Sequence, residues 1–194
     1  MGSRPPPDLP AFIAGLARRL RDRRLPFMLI GGQAVLLHGR PRLTEDIDVT
    51  LGTGPDGWRP VREICDELAL TPLPEDLEAF VRETFVLPAR HLETGMRVDF
   101  IFSTTPYERQ AIQRAVGVEL EGVSVPFATA EDLILHKLFA ARPRDVEDAA
   151  GVVRRKGRDL DWSYLERWVR EFAAVPGREG MPAALDRLRE ARKG

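Results

Sequence analysis

Residues 29–49 constrain this chain more than any other stretch. They read Leu-Ile-Gly-Gly-Gln-Ala-Val-Leu-Leu-His-Gly-Arg-Pro-Arg-Leu-Thr-Glu-Asp-Ile-Asp-Val: an apolar strand, a glycine pair, a short helix, and a returning strand with aspartates at 46 and 48. Strand side chains alternate between faces, so Asp46 and Asp48 project the same way. A third carboxylate, Asp99, sits inside Met96-Arg97-Val98-Asp99-Phe100-Ile101-Phe102, a run that reads as a buried strand. The bland reading of Asp46 and Asp48 is a polar strand end with solvated carboxylates. It leaves Asp99 unexplained, because a lone charge among Val, Phe and Ile is costly to bury. Three carboxylates converging from two strands suit a hard divalent cation, which takes oxygen ligands. A glycine turn beside them brings backbone N–H groups close to phosphate. These residues point to phosphoryl-type chemistry.

Composition narrows the setting. With 194 residues, 43% hydrophobic and 30% charged, the chain has the make-up of a soluble globular protein, one domain or a core with a helical extension. No apolar run approaches the ~20 residues of a membrane span, and the first seven residues lack a signal-peptide apolar core. Cys65 is the single cysteine, so an intrachain disulfide is excluded and a cytoplasmic location follows. The three histidines, at 38, 91 and 136, lack metal-ligand spacing and read as structural. A net charge of −1 argues against a basic footprint over the whole surface. Two arginine-rich clusters nonetheless stand out, Arg18, Arg19, Arg21, Arg23 and Arg24, then Arg154, Arg155, Lys156 and Arg158. They are read as solvated faces in an arginine-biased chain, or as a phosphate-contacting patch for RNA.

Periodicity lays out the elements. Leu9, Phe12, Ile13, Leu16, Ala17 and Leu20 recur at helical spacing, giving a helix over 9–24 with Asp8 as N-cap. Strands are expected at 27–30 and 46–51, with a short helix at 33–38 between them. A loop fills 52–57, a helix about 60–70 faces the core with Val61, Ile64, Cys65 and Leu68, and a further helix is expected at 75–83. Thr94-Gly95 turns a hairpin between 90–93 and 96–102. Thr105-Pro106-Tyr107-Glu108 is a capping box with proline at the first helical position, opening a helix to about 115. Glu121-Gly122 turns a second hairpin, 116–120 with 123–127. Four C-terminal helices follow, capped by Thr129, begun at Pro143, capped by Asp161, and spanning 182–192. The expected fold class is α+β: a small mixed β-sheet flanked by helices, then a helical C-terminal part. The domains expected are 1–128 as the core with its N-terminal helix and 129–194 as the helical part.

The glycine pair, Asp46-x-Asp48 and the later Asp99 resemble the pattern of the nucleotidyltransferase superfamily, whose fold is DNA polymerase beta-like. A second segment, from Glu131 through Lys137 to Arg142-Pro143-Arg144-Asp145-Val146-Glu147-Asp148, resembles the Lys…Arg…Asp-x-x-Asp element of its AbiEii-like branch, which includes toxins of bacterial toxin–antitoxin systems. The resemblance implies that Asp46, Asp48 and Asp99 are catalytic and hold Mg²⁺ (or Mn²⁺). It sets Gly31, Gly32 and Gln33 against the phosphates of an NTP substrate. Arg42 and Thr44 resemble the family's Arg-x-Thr element; Arg42 suits a triphosphate, and Thr44 a hydrogen bond at the strand entry.

For Lys137 the resemblance implies a triphosphate contact, whereas its core-like neighbours alone suggest a snorkelling side chain. Asp145 and Asp148 lie one turn apart on one helix face; either is a site residue, or it serves as helix-terminal charge bridged to Arg142 or Arg144. Glu45 faces away from the aspartates. The activity implied is transfer of an NMP from an NTP to an acceptor hydroxyl with release of pyrophosphate. The acceptor implied by the AbiEii-like branch is RNA, a tRNA 3′ end, with a cognate antitoxin protein as partner. Other acceptors compatible with the same core are an aminoglycoside-like small molecule or a protein. The non-enzymatic alternative is a nucleotide-binding or antitoxin module.

Overall fold

The computed structural model describes residues 8–40, 44 and 46–191. They form two compact units, one from the described residues of 1–30 and 44–127, the other from those of 31–43 and 128–194.

In the first unit, α1 (Leu9–Asp22) is capped by Asp8, whose carboxylate accepts from the Ala11 N–H, and buries Ile13, Leu16, Ala17 and Leu20 at the expected spacing. Among the described residues seven strands make one mixed sheet: β1 (Phe27–Ile30), β2 (Asp46–Leu51), β3 (Leu70–Pro72), β4 (Val86–His91), β5 (Arg97–Phe102), β6 (Val116–Leu120) and β7 (Val123–Phe127). Their spatial order is β3-β4-β5-β2-β1-β7-β6. β2 and β5 at the centre run parallel, as do β1 and β7, and the remaining neighbours are antiparallel. Period-two burial gives one face Ile47, Val49, Leu51, Leu87, Ala89, Val98, Phe100 and Phe102, all buried. A buried side chain of this kind contributes about 1.5–3 kcal/mol. α1 packs on β6, β7 and α3 (Trp58–Glu67), and α3 packs on β3. The opposite face carries the odd-numbered residues of β5 and the even-numbered residues of β2, where all three aspartates lie.

Most expected elements are found, several to the residue, including β1, β2, β6 and β7. The differences are local. The helix expected over 60–70 stops at Glu67, because Ala69 takes a left-handed φ of 53° and turns the chain into the short edge strand β3. β4 begins at Val86, four residues before the expected hairpin strand, and runs through Pro88. Proline is tolerated there because a residue's N–H and C=O point to one side of an antiparallel strand, and Pro88 faces β3 at that strand's end. Its carbonyl accepts from Leu73, one residue beyond β3, at 2.9 Å, so no strand ladder needs its missing N–H. α4 (Leu77–Thr84) is capped by Asp76, and α5 (Pro106–Arg114) by Thr105 through Glu108. Glu121 and Gly122 both have positive φ, 48° and 71°, as a two-residue hairpin turn of the favoured twist demands.

The second unit holds α2 (Gly31–His38), α6 (Ala130–Ala140), α7 (Pro143–Lys156), α8 (Trp162–Ala173) and α9 (Met181–Ala191). α2 begins at the glycine pair itself, with Gly31 at a left-handed φ of 61°, and packs on α6 and α7; it therefore groups with the helices of 128–191. α6 is buried along nearly its whole length, the signature of a central helix. Its inaccessible Asp132 accepts from the Thr129 hydroxyl and from the Tyr164 hydroxyl, each at 2.7 Å. Glu131 accepts from the backbone N–H of Asp161 at 2.9 Å and so ties α6 to the start of α8. The buried His38 ring contacts the Ala128 carbonyl through Nε2 at 2.8 Å, and burial lowers its pKa, so it donates there as a neutral imidazole. No helix among the described residues is long and apolar enough to cross a membrane.

Candidate active site

β2 and β5 place the three aspartates. In the parallel register Asp48 is the direct partner of Asp99, and Asp46 is the partner of Arg97. Paired residues on neighbouring strands share a face, with strands ~4.8 Å apart. Asp46, Asp48, Arg97 and Asp99 thus form a two-by-two patch on one face. Asp46 is exposed, Asp48 half-buried, and the Asp99 side chain retains 21% exposure. Arg97 reaches along its own strand, and its Nε donates to Asp99 Oδ1 at 2.8 Å. That hydrogen bond, with the fields of Asp99, Asp46 and Asp48, holds the guanidinium still further above its ordinary pKa.

Sequence reasoning did not single out Arg97. The signal was present, because the period-two argument that unites 46 with 48 also unites 97 with 99.

As they stand, no three His, Cys, Asp or Glu side chains among the described residues are grouped closely enough to hold an ion. The donor chemistry of Asp46, Asp48 and Asp99 nevertheless fits a hard divalent cation: three carboxylates on one face, partly open to solvent. Arg97 occupies one of the carboxylates that such an ion would use. Thr44 Oγ1 lies 3.4 Å from the Asp46 carbonyl, a long contact at the strand entry. Arg42 and Glu45 lie outside the described residues.

In the second unit the residues of the Lys…Asp-x-x-Asp segment meet each other. Lys137, 6% exposed, donates through Nζ to Asp145 Oδ1 and reaches Asp148 Oδ2, each at 2.8 Å. Arg142 Nε donates to Asp145 Oδ2 at 2.5 Å, while Arg144 is exposed. Lys137 is therefore clasped between carboxylates, with its ammonium not snorkelling to solvent, and of the two expected arginine bridges the Arg142 one forms. Burial pushes the Asp145 carboxyl up, but the hydrogen bonds from Arg142 and Lys137 together outweigh it and hold its pKa below the ordinary aspartate value. Gly32 and Gln33 are buried in the first turn of α2.

The first arginine cluster is engaged within the first unit. Arg19 Nε bonds Glu67 at 3.0 Å, Arg23 pairs with the same carboxylate, Arg18 reaches the Glu121 carbonyl at 3.2 Å, and Arg21 reaches that of Ser124. In the second cluster Arg155 donates to the Gly39 carbonyl at 3.0 Å.

The fold is that of the nucleotidyltransferases. Similar solved structures include the antibiotic-resistance factor ANT(2'')-Ia, with a TM-score of 0.56 and 16% identity over 85% of this chain and 93% of that one. A nucleotidyltransferase-like protein from Paracoccidioides brasiliensis gives 0.55 and 16%, over 96% of this chain and 89% of that one. The lincosamide antibiotic adenylyltransferase LnuA, lincomycin-bound, gives 0.52 and 13%, over 73% and 94%. No curated protein matches the chain. The family model of the nucleotidyl transferase AbiEii toxin of type IV toxin–antitoxin systems matches residues 16–192, and the chain belongs to that family.

Proposed function

We propose that the protein transfers an NMP from an NTP to an acceptor hydroxyl, with Asp46, Asp48 and Asp99 holding Mg²⁺ or Mn²⁺. The observation that carries this reading is the β2–β5 register, which sets Asp48 beside Asp99 with Asp46 on the same face. Two divalent ions bound there would neutralise charge on the attacking and leaving oxygens of an in-line displacement. Asp46 and Asp48 would hold both ions, and Asp99 would help hold the one that activates the acceptor hydroxyl. Asp99 also takes the proton of the acceptor hydroxyl as its oxygen bonds to the α-phosphorus and the bond to pyrophosphate breaks. Gly31, Gly32, Gln33 and Arg42 are assigned to the triphosphate, as is Lys137, while Thr44 holds the strand entry. Asp148 orients Lys137.

We take RNA, a tRNA 3′ end, as the acceptor, in a cytoplasmic setting; membership of a type IV toxin–antitoxin family supports a cognate antitoxin protein as partner.

A second reading, a small cationic acceptor, draws on two features. A groove of about 570 Å³ is lined by Leu73, Pro74, Phe80 and Pro88 together with the acidic Glu75, Asp76 and Glu83. Pro88 is the register partner of Asp99. The engagement of Arg19 and Arg23 by Glu67 leaves fewer free cations for an RNA backbone, which also favours this reading.

The test is transfer of label from each of the four α-³²P NTPs, with Mg²⁺ or Mn²⁺, to total tRNA, total protein or an aminoglycoside panel. Label in tRNA, absent with Asp48→Asn, is the expected result. Label in the aminoglycosides alone would move the acceptor to the second reading. No label anywhere, with no NTP–metal binding by calorimetry, would overturn the enzyme and leave a binding module.

A further inference from the structure

The patch on β2 and β5 contains its own cation. Arg97 is covalently fixed two residues from Asp99, stands opposite Asp46 in the register, and donates to Asp99 Oδ1 at 2.8 Å. Its partners on that face are therefore the same carboxylates that a divalent ion would use. A guanidinium and a divalent ion compete for that Asp99 oxygen, because the two cations repel each other across a few ångströms.

The Arg97 side chain is 43% exposed. An exposed pair of this kind is screened and weak, so the guanidinium can swing into water at small cost. A buried arginine in the same place would block the site; this one competes reversibly.

We propose that Arg97 is an internal counter-cation for the carboxylate patch, holding Asp99 until a divalent ion displaces it. The inference rests on the reading of Asp46, Asp48 and Asp99 as the metal-binding set. It makes Arg97 a positioning residue with two consequences. In metal-free protein Arg97 offsets the mutual repulsion of three carboxylates and stabilises the fold. During loading it weakens ion binding by the free energy of the Arg97–Asp99 contact.

The test uses Mn²⁺ alone, without nucleotide, titrated into the full chain and followed by electron paramagnetic resonance of free Mn²⁺. Arg97→Gln removes the competing charge, and Arg97→Lys keeps it. The expected result is Mn²⁺ binding about twofold to fivefold tighter in Arg97→Gln, the scale of one partly exposed ion pair, with Arg97→Lys close to wild type. Melting in EDTA gives an independent readout. Arg97→Gln should melt below wild type without metal and gain more from Mn²⁺ than wild type does, because ion binding and folding are linked.

Unchanged or weaker Mn²⁺ binding in a folded Arg97→Gln protein would overturn the proposal. Asp48→Asn separates that failure from failure of the metal reading itself. If Mn²⁺ binding is absent in wild type and in Arg97→Gln, or survives Asp48→Asn undiminished, the carboxylate patch is not the ion site and both fall.

Discussion

The two acidic groupings of this protein solve opposite electrostatic problems. On β2 and β5, Asp46, Asp48 and Asp99 share a partly open face with Arg97, whose guanidinium donates to Asp99. Between α6 and α7, the buried Asp145 and Asp148 meet the buried Lys137, and the exposed side chain of Arg142 reaches in to Asp145. A desolvated group must be neutral as a set, because the penalty of an unpaired buried charge reaches several kcal/mol. A half-exposed group can stay unbalanced, because water screens the repulsion. Carboxylates that water can reach are also carboxylates that a cation can reach. The comparison thus divides carboxylates that support the fold from carboxylates proposed to do chemistry.

The largest expected effect attacks the buried side. Lys137→Met removes the buried cation that reaches both Asp145 and Asp148. Breaking such a cluster costs about 3–5 kcal/mol, which for a chain of this size lowers Tm by roughly 6–20 °C. Thermal unfolding followed by circular dichroism measures it. Asp148→Leu added to Lys137→Met should recover part of the loss, since it removes one stranded charge. A Lys137→Met protein melting within about 2 °C of wild type would mean that α6 and α7 do not depend on the clasp, and the division would collapse.

The open side should show the reverse signature. Asp48→Asn is expected to lower label transfer by about 10²–10³, the range for deleting one electrostatic stabiliser of a transition state. Its melting temperature should hold or rise, because the neighbouring Asp99 loses a like charge across the β2–β5 register. Transfer rates and melting curves on one preparation decide it. If Asp48→Asn unfolds as readily as Lys137→Met, Asp48 belongs with the structural carboxylates.

How legible these sites were in the sequence depended on the distance over which each interaction is set. β1, β2, β6 and β7 were readable because alternation and the turn residues Glu121 and Gly122 act within a few positions. The shared face of Asp46 and Asp48 was readable for the same reason. That Asp48 lies beside Asp99 depends on pairing between strands fifty residues apart, which no local pattern specifies. β3 and the start of β4 were missed because Pro72 and Pro88 argue against strands locally, and only their place at the sheet edge makes them acceptable. The Lys137–Asp145–Asp148 clasp was half legible. The i, i+3 spacing set both carboxylates on one face, but the chain reversal at Ala141, with a left-handed φ of 56°, is what turns Lys137 back onto them.

A smaller effect, in pH, sharpens the same contrast. The Asp145 carboxyl lies below its ordinary pKa because the bonds from Arg142 and Lys137 outweigh burial. A depressed carboxyl contributes stability above its unfolded value, and that contribution fades as pH falls through the folded value. With an unfolded aspartate near 3.9, the contribution is complete at about pH 5 and above. Asp145→Asn removes it. The stability gap between wild type and Asp145→Asn, from urea unfolding, should therefore be widest above about pH 5 and close progressively below pH ~4. A gap independent of pH would assign the loss to packing and not to charge.

The smallest expected effect lies on the surface. Glu67 accepts hydrogen bonds from Arg23 and Arg19, which hold its carboxyl below the ordinary glutamate value, yet these pairs are solvent-exposed. Exposed ion pairs are weak and screened by salt, so Glu67→Gln should leave the melting temperature unchanged at physiological ionic strength. Its use is functional. The substitution releases two arginines of the N-terminal cluster, so if the acceptor is RNA, retention of tRNA at low salt should rise slightly and lose the gain as salt is added. If tRNA retention stays flat while the melting temperature also holds, α1 is a solvated face, and whatever binds the acceptor must be sought nearer the carboxylates of β2 and β5.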